Sequence, residues 1–417
     1  MNRIILIGNG FDLAHGLKTI YGDFIDWYWD RWQNELRANS SNTIYDELCK
    51  ISLVDKNRKW LEYLFQNLSR ISPPRGHDFY DYLRKNADVK IDMCYFMRNI
   101  CQSIETKGWV DIENEYYNLL VAGYEHKIED LSRDKLNLQL DFVCRLLCEY
   151  LNTLPIDTIE FKSQIGEIIN GPFNPNDISI TRQNDLQEHV YYWINSEQKE
   201  FDYQMWKYNK TGIDSFDQMD YKSKNEKLGL NEMYKNYPGF FLPNNILLLN
   251  FNYTSTTDKY IEKKKSIAEI NHIHGELSNP ESVIFGYGDE MDENYKKLSD
   301  LNDNEYLKNF KSIKYLESDR YRKALQFMEA EPYQVYIMGH SCGNSDRTFL
   351  NTLFEHKNCV SIKPYYYKDG DKDNYLDIVQ NISRNFTDMK LMRDRVVNKT
   401  YCEAFSDKKR NPSVDEL

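Results

Sequence analysis

No run in this 417-residue chain approaches the ~18 apolar residues that a membrane-spanning helix requires. The opening stretch, MNRIILIGNGFDL, carries one cation and a brief apolar run, well short of the roughly 7 to 15 residues of a secretion-signal core. A cytoplasmic protein with no membrane partner is therefore expected. Zinc spacing is missing too: the eight cysteines, at 49, 94, 101, 144, 148, 342, 359 and 402, include no Cys-x-x-Cys pair. They read as buried thiols in a reducing compartment, with no structural metal. Positive charge is scarce, since 53 Lys and Arg face 65 Asp and Glu for a net charge of -12, and the pI lies near 5.3. Such a chain has no overall field to attract a phosphate backbone, which makes nucleic acid an unlikely partner. The local basic run KYIEKKKS at 259–266 reads as a solvated helix face. No internal repeat is visible.

What the chain does have is apolar material for a large core, with 41% hydrophobic and 14% aromatic residues. Short branched runs ending in Gly, Asn or His occur at RIILIG near the start, then at 244–252, 268–275, 282–288, 335–339 and 359–367. Parallel strands of an α/β layer have this character. Between the first run and the second, residues read as helices: LDFVCRLLCEYL at 140–151 places Leu140, Val143, Cys144, Leu147, Cys148 and Leu151 on one face. All seven tryptophans fall within 27–206, so this segment carries its own core. The expectation is an α/β domain with a doubly wound, mostly parallel sheet, interrupted by a large all-α insertion. Residues 1–21 supply its first strand and glycine-rich loop, 22–236 the insertion, 237–400 the remainder, and 401–417 a polar tail. The polar stretches 215–227 and 289–305 read as loops or edge helices.

Four motifs carry possible chemistry. IILIGNGFDLAHGL runs a strand into a Gly8-Asn9-Gly10 turn followed by Phe11, Asp12 and a third glycine, Gly16. Glycines there let the backbone approach a diphosphate, although Leu13 stands where the usual dinucleotide fingerprint has its third glycine. LLLNFNYTS ends a strand in Asn250, Asn252, Tyr253 and Thr254, suited to holding a ribose hydroxyl or a water, or to an Asx-turn. INHIHGELS puts His272 and His274 on one strand face, with Gly275 turning the chain away so that His274 is left at the rim. A metal pair, a general base with its partner, and a buried bonded pair all fit. VYIMGHSCGNSD fits the G-x-S-x-G elbow of serine hydrolases at Gly339–Gly343, and equally a nucleotide-holding loop. The one histidine after Ser341 is His356, on the next helix and aimed away, so Ser341 reads better as a donor to a phosphate or ribose than as a nucleophile. Asp346 caps that helix or touches the ribose.

In this order, Gly-Asn-Gly-Phe-Asp, Asn-Phe-Asn-Tyr-Thr, His-Ile-His-Gly and Gly-His-Ser with an aspartate five residues on, the motifs resemble the AbiH family of bacterial abortive-infection proteins. That family looks like a divergent branch of the sirtuin-like NAD-binding fold. The resemblance implies a glycine-rich loop at Gly8, Gly10 and Gly16, a strand-end asparagine at Asn252, a catalytic histidine at His274, and a Gly-x-Ser loop touching the nucleotide at Gly339 and Ser341. It implies NAD as substrate with no cofactor required, hydrolysis of the nicotinamide–ribose bond in anti-phage defence, a phage-derived trigger and a homo-oligomer or gated state. Two departures stand out: the four-cysteine zinc module of sirtuin deacylases cannot be built here, and Asn252-Tyr253-Thr254 replaces the Asn-Tyr-Asp of related defence NADases. Trp109 and Glu113, one helical turn apart, resemble a Trp-x-x-x-Glu element of the family, and Glu113 is a candidate to reach the site. A non-catalytic NAD or ADP-ribose sensor and a serine-dependent hydrolase remain the alternatives.

Overall fold

Asn2–Ile7 (β1) has no polar face in the folded protein; all six residues are buried, Arg3 included. The reason is its central position. In this computed structural model, which describes residues 1–38, 41–53, 66, 76–129, 131–196, 229–261 and 268–407, β1 pairs in parallel on both sides. On one side lies Ile246–Asn250 (β5), with Leu6 opposite Leu249, and beyond it Ala268–His272 (β6), with Asn250 opposite His272. On the other lies Tyr333–Met338 (β7), with Ile7 opposite Met338, then Cys359–Asp369 (β8) and Ala404–Asp407 (β10), all parallel. A two-residue strand, Lys372–Asp373 (β9), folds back antiparallel on β8. Among the described residues these make a seven-stranded, mostly parallel sheet in the order β10-β8-β7-β1-β5-β6. Strands buried on both faces are expected to be continuously apolar, which is what RIILI, ILLLN and YQVYIM look like.

The chain leaves β1, builds outward through β5 and β6, then returns to the other flank of β1 to build β7 and β8. Strand order therefore reverses between β1 and β7, and in open α/β sheets ligands collect outside the carboxyl ends of the strands at such a reversal. One sheet face is closed by Ile165 and Ile169 of the helix Ser163–Asn170, which pack with Ile5, Ile7, Leu248 and Met338.

By internal contacts the chain divides into two units, Met1–Gly16 with Ile156–Val283 and Tyr315–Leu417, and Leu17–Pro155 with Ile284–Lys314. The first contains the seven-stranded sheet. The second is mainly helical, its longest helices being Tyr21–Ala38 and Arg133–Asn152, the latter with Leu140, Val143, Leu147, Cys148 and Leu151 buried as its periodicity predicts and Cys144 only partly so. It is not all-α: Thr43–Tyr45 (β2), Cys49–Leu53 (β3) and Val89–Met93 (β4) form an antiparallel sheet in the order β2-β3-β4. These strands are three to five residues long and only partly buried, so they have neither the length nor the apolar density that marked β1 or β5. Residues 282–288, expected as a strand, form an irregular segment with one isolated bridge, Tyr287 to Phe310. Residues 404–407, expected to belong to a frayed tail, form β10 instead. The polar run 215–227, residues 262–266 of the basic run and residues 408–417 of the tail lie outside the described residues. Among the described residues no helix is long and apolar enough to cross a membrane.

Candidate functional site

The loops after β1, β5, β6 and β7 all leave from the carboxyl edge. Two of them meet backbone to backbone. Gly10 N–H donates to Gly339 O at 2.8 Å, Ile7 bridges to Gly339, and Gly8 N–H reaches Met338 O at 3.3 Å. A Cβ on Gly8 would lie 2.5 Å from His340 Cα, and one on Gly339, where φ is +77°, 2.2 Å from Phe11 N. The glycines are thus required by the packing of one loop on the other. Gly10 N–H is committed to Gly339 O and Phe11 N–H to Gly8 O, so those two amides, expected to face a diphosphate, are engaged within the protein. Asn9 is exposed and begins the helix Asn9–Ala14. Phe11 is a core residue, fully buried and in ring contact with His15, Tyr260 and Phe405. Gly16 ends the segment in a left-handed turn at φ +83°.

The asparagine pair divides its labour. Asn250, the last residue of β5 and 1% exposed, accepts from Asn252 N–H at 2.9 Å, and its Nδ2 lies 3.2 Å from each of Thr254 O, Thr257 Oγ1 and His272 Nδ1. It is the Asx-turn cap. Asn252, half-buried, donates through Nδ2 to Gly8 O at 2.9 Å, tying the turn after β5 to the glycine loop. Tyr253 is half-buried, and its carbonyl accepts from Leu277 N–H.

Asp12, in the helix Asn9–Ala14 that follows the glycine turn, is 1% exposed. Its Oδ2 accepts from Thr254 Oγ1 at 2.6 Å, while Oδ1 is buried without a well-formed hydrogen bond among the described residues. Burial pushes the carboxyl from its ordinary 3.8 up to about 6, only partly opposed by Thr254, Thr256 and Asn252. An acid tuned in this way exchanges its proton near neutral pH, which ordinary surface carboxylates do not.

The two histidines expected on one strand face part company. β6 ends at His272, whose ring goes to Asn250 and lies 3.9 Å from Asp258, and whose burial lowers its pKa. His274 lies past the strand end and is buried, 4% exposed, rather than open at the rim. Gly275 is there because a Cβ would strike Ser282 O at 2.1 Å. His274 Nε2 is 3.2 Å from Asp346 Oδ1 and 3.1 Å from the Tyr315 hydroxyl. The other oxygen of the same carboxylate, Asp346 Oδ2, is 3.4 Å from His340 Nε2. One buried aspartate thus stands between two buried histidines, with the Phe251 ring against both, 5.0 Å from His274 and 4.2 Å from His340. Asp346 occupies the N-cap of the helix Arg347–Glu355 but forms no side-chain cap there; its carboxylate is turned to the histidines. His340 and Tyr315 were not singled out from the sequence. For His340 there was a signal, a histidine directly after a glycine at the end of a buried strand, the same pattern that marks the glycine loop. Tyr315, in the short 3-10 helix Tyr315–Glu317 forty-one residues from its partner, had none.

Ser341 is exposed, and its carbonyl accepts from Asn381 Nδ2 at 2.8 Å. The positive φ of the turn falls on Gly339 and Cys342, not on Ser341, where a strained nucleophile elbow would put it. His356, the other requirement of a hydrolase, has one ring nitrogen 3.2 Å from Glu329 Oε1 and accepts from Asn358 N–H on the other. Glu113 is held in the second unit, its carboxylate on Lys311 Nζ at 3.1 Å and on Gly286 N–H at 2.9 Å. Trp109 precedes the helix Ile112–Tyr124 and is 62% exposed, so the two do not share a helical turn. Among the described residues one group of three offers ligand atoms within 4.8 Å of one another, His77, Asp81 and Glu105. Arg84 already binds both of its carboxylates, at 2.9 and 3.0 Å.

No curated protein and no solved structure matches the chain. A family profile does, over residues 4–367, a span that begins within β1 and holds all four loops and the His274–Asp346–His340 cluster. The family is described as bacteriophage abortive infection AbiH, and the chain belongs to it.

Proposed function

We propose that this protein is an abortive-infection effector that binds NAD, or a closely related nucleotide, at the carboxyl edge of a sirtuin-like, Rossmann-type sheet and hydrolyses its nicotinamide–ribose bond. The observation that carries the reading is two sets of contacts on the segments that follow β1, β5, β6 and β7, where strand order reverses: Asp12 with Thr254 and Asn252 with Gly8 in one, His274 with Asp346 in the other. Cleavage of an N-glycosidic bond to a cationic leaving group passes through an oxocarbenium-like ribosyl state. The chemistry asks for a positioned base and fixed negative charge, both supplied here by carboxylates and imidazoles held out of water. His274, with Asp346 behind it, accepts a proton from a ribose hydroxyl or the attacking water, and Asn252 orients that group. Asp12, mostly ionised at pH 7, favours the positive charge that develops on the sugar. Ser341, Tyr253 and the exposed Asn9 are left as contacts to the nucleotide. An enzyme that depletes NAD has to be silent in an uninfected cell, so the proposal includes a phage-derived trigger and an oligomer or gated state.

The test is to incubate the purified full chain with NAD, with and without phage lysate, and follow free nicotinamide. The wild type releases it, and His274→Ala releases it ~10²- to 10⁴-fold more slowly while staying folded, the loss typical of a removed general base. Saturable NAD binding by calorimetry with no release under either condition supports a sensor in place of the enzyme. Covalent labelling of Ser341 by a fluorophosphonate supports the serine hydrolase.

A further inference from the structure

His340 lies in the Gly339–Gly343 turn beside Ser341, and its surroundings settle which ring nitrogen carries the proton. Its Nδ1 accepts a hydrogen bond from Cys342 N–H at 3.0 Å. A backbone amide cannot give up its proton, so Nδ1 is an acceptor and the neutral ring keeps its hydrogen on Nε2, the nitrogen 3.4 Å from Asp346 Oδ2. The amide is aimed by an uncommon conformation, since Cys342 is a fully buried non-glycine residue at φ +54°. That conformation is held from outside the turn. Asn385, 0% exposed, donates from Nδ2 to Cys342 O at 2.9 Å, and Asn381 donates to Ser341 O at 2.8 Å.

We propose that His340 is a positioning residue that acts through Asp346 on His274, and that Cys342 and Asn385 exist in this arrangement to fix its tautomer. A donor on Oδ2 holds the carboxylate rotated so that Oδ1 meets His274. The second histidine thereby does for the aspartate what the aspartate does for the first histidine. The effect on turnover rests on the NAD-hydrolase reading; the tautomer does not.

The experiment uses full-length protein labelled with ¹⁵N-histidine. Wild type is expected to show His340 as a neutral ring with a bare Nδ1 and a protonated Nε2. His340→Gln keeps a donor near the Nε2 position, whereas His340→Asn keeps only the acceptor near Nδ1. The ring signals of His274 should stay close to wild type in the Gln variant and move in the Asn variant. For NAD cleavage, His340→Asn should lose roughly ten- to 150-fold in kcat with little change in KM, the scale of one hydrogen bond to a charged group, and Gln should recover most of it. A wild-type His340 protonated on Nδ1, or His274 signals that respond alike to Gln and Asn, overturns the proposal. If no nicotinamide is released by wild type, the hydrolase reading falls, and the tautomer with the His274 signals still decides this one.

Discussion

Asp12 is the residue whose chemistry departs furthest from what its letter suggests. A carboxyl buried to this depth binds its proton more tightly in the folded chain than in the unfolded one, at about 6 against an ordinary 3.8. The folded state is therefore favoured by protonation: stability falls as pH rises through the interval from 3.8 to about 6 and levels off above it. The interval corresponds to about 3 kcal/mol as an upper bound. Asp12→Asn, which carries no charge to bury, should remove this slope; urea unfolding should find it more stable than wild type at pH 7.5 and level with it near pH 4. If the same variant loses NAD cleavage, the aspartate has been kept for function at a cost in stability. A variant less stable than wild type at pH 7.5 would show that its charge is already matched by Thr254 and Asn252.

The elements set where such residues can stand. β5 was legible as NNILLLNFN because a strand buried on both faces is a continuous apolar run, yet the roles of its two asparagines were not, since Asn250 and Asn252 differ only in what they bond across the fold. Asn250→Ala strips several hydrogen bonds from a buried turn and should cost about 1–3 kcal/mol, while Asn252→Ala, half-buried with its Nδ2 on Gly8 O, should cost less and act on turnover. Equal losses in thermal stability for the two would make both of them caps. The glycines divide similarly. Gly16→Ala meets open space and carries only the left-handed cost of about 1 kcal/mol, whereas Gly339→Ala carries that and a Cβ 2.2 Å from Phe11 N. Differential scanning calorimetry should rank Gly339→Ala as clearly the worse. The sequence shows that both positions are glycine and cannot say that one exists for a turn and the other for a neighbouring loop. His274 stood out in the sequence as a histidine before a glycine at a strand end, but its contact with Asp346, read as a helix cap or a ribose contact, did not, because helix capping is a local rule and the pairing with a histidine seventy-two residues earlier is not.

At the scale of the whole molecule, the second unit has its own keystone. Glu113 and Lys311 pair at 3.1 Å with Lys311 almost fully buried. Removing one partner strands a charge away from water, so Glu113→Ala should destabilise by about 3–5 kcal/mol, and the double variant with Lys311→Met should recover part of it. Unfolding of the single and double variants in urea measures both. If Glu113→Ala remains as stable as wild type, the glutamate is free for another task and its resemblance to the family's Trp-x-x-x-Glu element regains weight. The sequence partition put the end of the helical segment at residue 236, whereas by contacts the first unit resumes at Ile156; helices covering a sheet and helices packing on each other share one periodicity.

β1 is first in the chain and central in the sheet, and this has a consequence for synthesis. Arg3 takes its place beside Ile246, and Ile7 beside Met338, so β1 is synthesised before both of its neighbours and waits for them. At about 5–20 residues per second the wait for β5 alone is on the order of 10 to 50 s. Until then a largely apolar strand with two open edges is available to any other nascent chain. The product of an interrupted message would carry that strand with nothing to pair it, and the cell's holding chaperones, rather than the protein's own fold, would decide whether it stays in solution.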